Sequence, residues 1–432
     1  MTDPADSLDP RGRFAAEARA TDLQLPPPHR LNLAWATAIT IAIVLGSVTI
    51  GYEAGWFNPS RPVPVGPSLA GPQDCNGTPV DLSFGVDSAD SGVLASGWSQ
   101  LGAAFSNATG GCVRTTESSN SSEFDALAAH QVDSVVGPQL PSLDDPPNVQ
   151  GSTFDLPLFE APLDILYNAP GLTGPLNLTA AALAGAYLGL VRSWSDPTLT
   201  EWNPGLDSRL NLSVVYLQGP SESNLLFTTY LAQYNASFAR ELGAAGSVNW
   251  PVGQPADSLA QMVERVENTP GSIGYAPAFD CPASPTSIGC ARVATGDATF
   301  LAPTGSAVLR AANLLANSTA ARTGDWQNLT GVAPTGSAGY PMIQFTYAIV
   351  FRDLGVSYGP ALGVEPAKWL VTMLWWVAAD SGALSAPSGS SALPAGLASI
   401  AEETLQKVTY DGASILGGGE EGGENGDQTG EF

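Results

Sequence analysis

The chain is poor in histidine, cysteine and positive charge. Among 432 residues there are two histidines and four cysteines, and 16 basic residues stand against 41 acidic ones, a net charge of −25. So few lysines and arginines exclude a nucleic-acid binder, because no basic run is available to neutralise phosphates. With only His29 and His130 present, a Ser-His-Asp triad would have to use His130, which lies in an apolar-periodic run. No His-Glu-x-x-His, Walker loop or Gly-x-Ser-x-Gly in a histidine context occurs, so no enzyme is expected. No Cys-x-x-Cys occurs either, which argues against zinc or thiol redox chemistry; neither metal nor cofactor is expected. Charged residues make up only 13% of the chain, so the surface must be largely Ser, Thr, Asn, Gly and Pro.

What is present is a large apolar fraction, 44%, enough for a substantial core in two or three compact units. Residues 31–52, LNLAWATAITIAIVLGSVTIGY, carry no charge and are long enough to span a bilayer. Arg11, Arg13, Arg19 and Arg30 precede this stretch, and aromatic residues flank it. That bias predicts a single-pass anchor with residues 1–30 as a cytoplasmic disordered tail and the folded part extracellular. A cleaved signal peptide is the alternative; the length of the apolar run and the lack of a small-x-small site favour the anchor. Residues 53–74 read as a Pro/Gly linker, and 416–432 as an acidic disordered tail.

An even number of cysteines outside a membrane predicts two disulfides. The short loop CPASPTSIGC pairs Cys281 with Cys290, which leaves Cys75 for Cys112. Eight Asn-x-Ser/Thr sequons, at Asn76, Asn107, Asn120, Asn177, Asn211, Asn235, Asn317 and Asn328, predict a glycosylated surface.

Strand-like and helix-like runs alternate from about residue 80 to 412. Strands are expected at 80–85, 112–116, 132–136, 163–167, 214–217, 272–276 and 345–351. Helices are expected at 93–105, 124–130, 179–188, 224–234, 258–267, 306–315, 366–379 and 397–407. This alternation predicts an α/β fold with helices on both faces of the sheets. Trp375 and Trp376 lie at helical spacing and read as packing residues.

The stretch VVYLQGPSESNLLFTTYL, residues 214–231, has the layout of an anion cradle: a strand, a tight turn, then a Ser-rich helix start. Around it, LAGAYLGLVRSWSDPTLTEWNPGL (Leu183–Leu206), SVNWP (Ser247–Pro251), NTPGSIGYAPAF (Asn268–Phe279) and YPMIQFTYAIVFRD (Tyr340–Asp353) follow in order. SALPAGLASIAEETLQKV (Ser391–Val408) closes the series. These blocks resemble the solute-binding protein of the phosphate ABC transporter. The resemblance implies a two-lobed periplasmic-binding-protein fold with two hinge crossovers, near 160–167 and 342–351. Lobe I would take 75–160 plus 350–415, and lobe II 161–349. It also implies a small-molecule ligand in the cleft and an ABC permease as partner.

The resemblance carries over residue by residue. The family's phosphate-pairing Arg falls on Leu217, its Asp on Gly219 and its cradle glycines on Pro220 and Glu222, while Ser221 and Ser223 keep hydroxyls. Ser121 keeps a hydroxyl in the second loop, next to the sequon at Asn120, and Ser88 or Ala89 meets the first loop's Thr position. The third loop's Asp falls on Pro138. A carboxylate about 4 Å from an anion costs about 4 kcal/mol at an effective dielectric near 20. A lost bidentate Arg removes about 1.5–3 kcal/mol more. Ser88, Ser121, Ser221 and Ser223 are therefore the candidate ligand residues of a binding protein whose ligand need not be phosphate. A ligand-free surface or envelope interaction module is the alternative.

Overall fold

The computed structural model describes residues 81–87, 92–118, 122–141, 145–172, 174–204, 206, 210–282, 287–296, 299–379 and 386–416. The expected tail 1–30, anchor 31–52, linker 53–74 and residues 417–432 of the acidic tail lie outside them. Among the described residues no helix is long and apolar enough to cross a membrane.

The strands are β1 (Asp81–Asp87), β2 (Cys112–Ser118), β3 (Ser134–Gly137), β4 (Thr153–Tyr167), β5 (Asn177–Leu178), β6 (Ser213–Leu217), β7 (Gln254–Ala256) and β8 (Ser272–Pro277). They continue as β9 (Gly289–Cys290), β10 (Arg292–Ala294), β11 (Phe300–Leu301), β12 (Ile343–Phe351), β13 (Ser391–Ala392), β14 (Thr409–Tyr410) and β15 (Ala413–Ser414). The helices are α1 (Gly92–Thr109), α2 (Ser122–Ala128), α3 (Ala180–Tyr187), α4 (Pro197–Thr200), α5 (Glu222–Tyr234) and α6 (Ala236–Glu241). After them come α7 (Leu259–Asn268), α8 (Gly305–Ala316), α9 (Thr319–Thr323), α10 (Gly355–Leu362), α11 (Glu365–Ala379) and α12 (Ala395–Leu405).

The main sheet runs β2-β1-β3-β12-β4-β8-β6-β7. It has two halves, each with its own parallel set, β1 beside β2 and β3, and β6 beside β7 and β8. Antiparallel β4 and β12 stand between them. β4 pairs with β12 from Thr153 to Pro162 and with β8 from Leu163 to Tyr167, so one strand belongs to both halves. This is a two-domain α/β architecture. Each half has its own aromatic core. In the first, Phe84 packs edge-on to Trp98, and Phe105 meets Trp369 and Trp376. In the second, Phe227 stacks on Tyr275 at 4.5 Å, with Tyr187 and Trp250 beside them.

Three local expectations change. The strand expected at 163–167 starts ten residues earlier, at Thr153. Pro157 and Pro162 disguise it, since proline cannot donate to a ladder. The structure absorbs Pro157 next to a bulge opposite Thr346 and Tyr347, and Pro162 where the partner strand changes. The strand expected at 132–136 begins at Ser134, because Asp133 turns back to accept from the Ser83 N–H at 2.6 Å. The helix expected at 124–130 ends at Ala128. His130 adopts a left-handed φ of 55° there, and the Gln131 N–H returns to Ala126 O, a helix-terminating pattern.

Candidate functional site

The cradle turn follows β6. Ser221 caps α5: its hydroxyl accepts from the Asn224 N–H at 3.3 Å. The Asn224 side chain, itself buried, donates to Leu217 O at 3.2 Å and Gly219 O at 3.1 Å. Its oxygen accepts from the Tyr275 hydroxyl, whose own oxygen accepts from the Leu217 N–H at 3.2 Å. The Gln218 N–H goes to Ala256 O and the Ser221 N–H to Gly246 O. Pro220 has no N–H. The Leu217, Gln218 and Ser221 N–H groups are thus committed to the protein. Ser223 is fully buried and donates to Gln344 Oε1 on β12 at 3.1 Å.

Carboxylates gather around this turn. Glu222 opens α5, where the positive end of the helix favours an acid. It also faces Tyr347 on β12: burial raises the pKa of that hydroxyl, and the charges of Glu222 and Asp155 raise it further. Burial lifts Asp155 to about 6 against the pull of Arg352. The Arg352 guanidinium lies 4.2 Å over the Phe154 ring. In the other half, α2 begins with Glu123 and Asp125 in its first turn, and Glu123 is buried. Both helices flanking the expected anion position therefore start with the chain's own acids.

The two halves touch beside the site. Gln327, in the short turn after α9, donates to Pro141 O at 2.7 Å. A strap of residues after α11 crosses the same region: β13 adds to the edge of β4 at Phe159 and Glu160. Gly389 in this strap has φ +76° and lies so close to Ala278 O that a Cβ would collide with it. Ala278 itself holds a left-handed φ of 53°. Between these pieces is a cavity of about 20 Å³, lined by Pro138, Ala161, Ala278, Gln344, Pro387 and Ser390 among others. That is room for about one water molecule.

No family model matches the chain. The phosphate-binding protein PstS of Methanocaldococcus jannaschii is 27% identical over 227 residues, 49% of this chain and 56% of that protein. PstS of Xylella fastidiosa is 32% identical over 105 residues, 24% of this chain and 28% of its own length. The chain thus spans little more than half of the first relative and under a third of the second. A solved high-affinity periplasmic phosphate-binding protein, PfluDING with phosphate bound, superposes with a TM-score of 0.53. That match has 17% identity and covers 78% of this chain and 96% of the other, a likeness of fold. The chain is PstS-like.

In this PstS-like chain the structure brings Ser221 and Ser223 to the expected turn but gives each an internal partner. Ser88, Ser121 and Asn120 lie outside the described residues. Cys281 and Cys290 form the expected disulfide, with Cα atoms 5.8 Å apart. Cys112 is also disulfide-bonded, and its expected partner Cys75 lies outside the described residues. The disulfide sits beside buried Asp164, with Cys281 Sγ 3.6 Å from its Oδ1. Both sulfurs are used in the bond, so this trio is no metal site.

Of the sequons, Asn107, Asn211, Asn317 and Asn328 are exposed, and Asn76 lies outside the described residues. Asn235 caps α6 through its oxygen, and the Asn177 amide nitrogen donates to Trp202 O at 3.0 Å. His130 is exposed beside Phe351 and Ser357. The Asn224–Tyr275 pair escaped the sequence reading. Its only signal was an Asn in the first turn of an apolar helix, where an exposed position would be the ordinary guess.

Proposed function

We propose that the chain is a membrane-anchored extracellular solute-binding protein of the phosphate-transporter type, which hands a small solute to an ABC permease. Residues 31–52 would be the anchor, with 1–30 cytoplasmic. Residues 75–160 plus 350–415 and 161–349 would be the lobes, hinged at β4 and β12. The ligand in this reading is a small neutral or cationic solute, not a tightly held oxyanion. The observation that carries this is the state of the cradle: the Leu217, Gln218 and Ser221 N–H groups have protein acceptors, and Glu222 heads the helix. Ser88, Ser121 and Ser221 remain the candidate ligand hydroxyls, Ser223 being buried against Gln344, with Cys75–Cys112 as a second disulfide and glycans at exposed sequons. Calorimetry of the full chain with phosphate, sulfate and neutral solutes tests the reading. Micromolar phosphate binding would overturn the choice of ligand class.

A second reading, a ligand-free envelope interaction module, is favoured by the near-filled cavity beside the strap. Failure of every small solute to bind would favour it.

A further inference from the structure

Glu160 is a fully buried carboxylate, and neither of its oxygens has a hydrogen-bond partner. Among the described residues it is the one carboxylate with both oxygens in that condition. Such a group is held as the neutral acid, because a bare charge in the interior is far costlier than a proton. Burial is the single cause that lifts its pKa, from the ordinary 4.5 to about 8.

Its position gives this meaning. Glu160 faces Phe345 of β12 on one edge and Ser391 of β13 on the other. Three residues later β4 changes partner from β12 to β8. The acid therefore sits at the junction of the two halves, under the strap that rests on Ala278 of the second half.

Among the described residues of the elements packed on Glu160, no charge competes for this role. β8, β12 and β13 contribute no charged residue. On the helices packed against β4, Arg265 of α7 reaches Gln261, and Arg310 of α8 donates to Ala338 O. Lys368 of α11 pairs with Glu365, and Glu267 of α7 accepts from Ser287. Glu264 and Glu403 point to solvent, Glu402 is half-exposed, and Glu222 of α5 acts on Tyr347. On β4 itself, Asp155 has Arg352 and Asp164 accepts the Phe279 N–H.

We propose that Glu160 is a proton site coupled to movement of the two halves, so that closing takes up one proton and opening releases it. The proposal rests on the reading that the halves open about β4 and β12. When the second half swings away, Ala278 leaves Gly389, the strap loses a wall, and water reaches the carboxyl. A solvated Glu160 ionises near its ordinary value, whereas the closed form keeps its proton. Between those two points the open-to-closed ratio rises about tenfold per pH unit. Any solute gripped by closure is then held more tightly in acid and let go as the pH rises.

Hydrogen exchange of the full chain tests this without any ligand, and so independently of which solute binds. The readout is protection of the segments 158–163 and 390–393, corrected for intrinsic exchange, from pH 5.5 to 7.5. Wild type is expected to lose about 100-fold protection there. Glu160→Gln and the apolar, equally long Glu160→Met should both give flat profiles. A wild-type profile as flat as the variants', or a slope kept in both variants, overturns the proposal. So does exchange at the junction that is no faster than in β1 at every pH, which would place the titration in global unfolding rather than in opening at the junction.

Discussion

The Ser223 hydroxyl donates to Gln344 Oε1 at 3.1 Å and so ties the first turn of α5 to the crossover strand β12. A hydroxyl that the resemblance assigns to a ligand is spent inside the protein. Neither partner is exposed enough for water to replace the other without cost, since Ser223 is fully buried.

Ser223→Ala should therefore act on stability. Leaving Gln344 without its donor is expected to cost about 1–2 kcal/mol, read as a lower denaturant midpoint. An unchanged midpoint together with lost solute affinity would instead make Ser223 a ligand residue.

Tyr275→Phe removes a hydroxyl that serves both the Leu217 N–H and the Asn224 oxygen. Two buried groups then lack partners, and the expected loss is about 2–4 kcal/mol by thermal or chemical unfolding. A loss well under about 1 kcal/mol would show that water enters the turn.

Glu222→Gly removes the carboxylate that heads the cradle. Phosphate affinity should rise by about 100-fold or more, since a charge repulsion of about 4 kcal/mol would be relieved. Calorimetry reads this directly, and equal phosphate affinity in both proteins would place Glu222 away from the ligand.

Stability should fall as pH rises from about 4.5 to 8. Burial raises Glu160 to about 8 and Asp155 to about 6. The folded state therefore holds protons that the unfolded chain has released, and each such group removes about 1.4 kcal/mol per pH unit within its own window. Asp353 acts in the opposite sense. Burial pushes its pKa up, but hydrogen bonds from Gly355, Gly412, Thr409 and Asp411 outweigh this and hold it below the ordinary value. Its contribution is present above about pH 4 and is lost as pH falls further. Denaturation midpoints from pH 4 to 9 check the sign, and Glu160→Gln should flatten the alkaline side.

Gly389→Ala places a Cβ against Ala278 O in a left-handed backbone. The strap must shift, and a loss of about 2 kcal/mol or more is expected, with faster exchange at Ser391 and Ala392. An unperturbed variant would mean that the strap can lift from the second half at no cost.

The elements of regular period were legible in the sequence. The helix start at Ser258 could be placed because a cap and an apolar stripe are local signals. β6, β8 and β12 could be placed because β-branched and aromatic runs flanked by turn residues read without context. The first ten residues of β4 could not, since two prolines and two acids break every local rule. Only pairing with β12 makes them a strand.

By itself the sequence determined an acidic α/β chain with the ordered blocks of a two-lobed binder, and it exposed the missing arginine at Leu217 and the added acid at Glu222. Tertiary structure alone decided where the surviving polar groups go. Ser223 turns to Gln344, Asn224 to the turn's own carbonyls, and Glu160 to a buried junction. The reason is physical: a side chain's partner and its access to water depend on residues distant in the chain, as Ser391 is from Glu160, which no local pattern encodes.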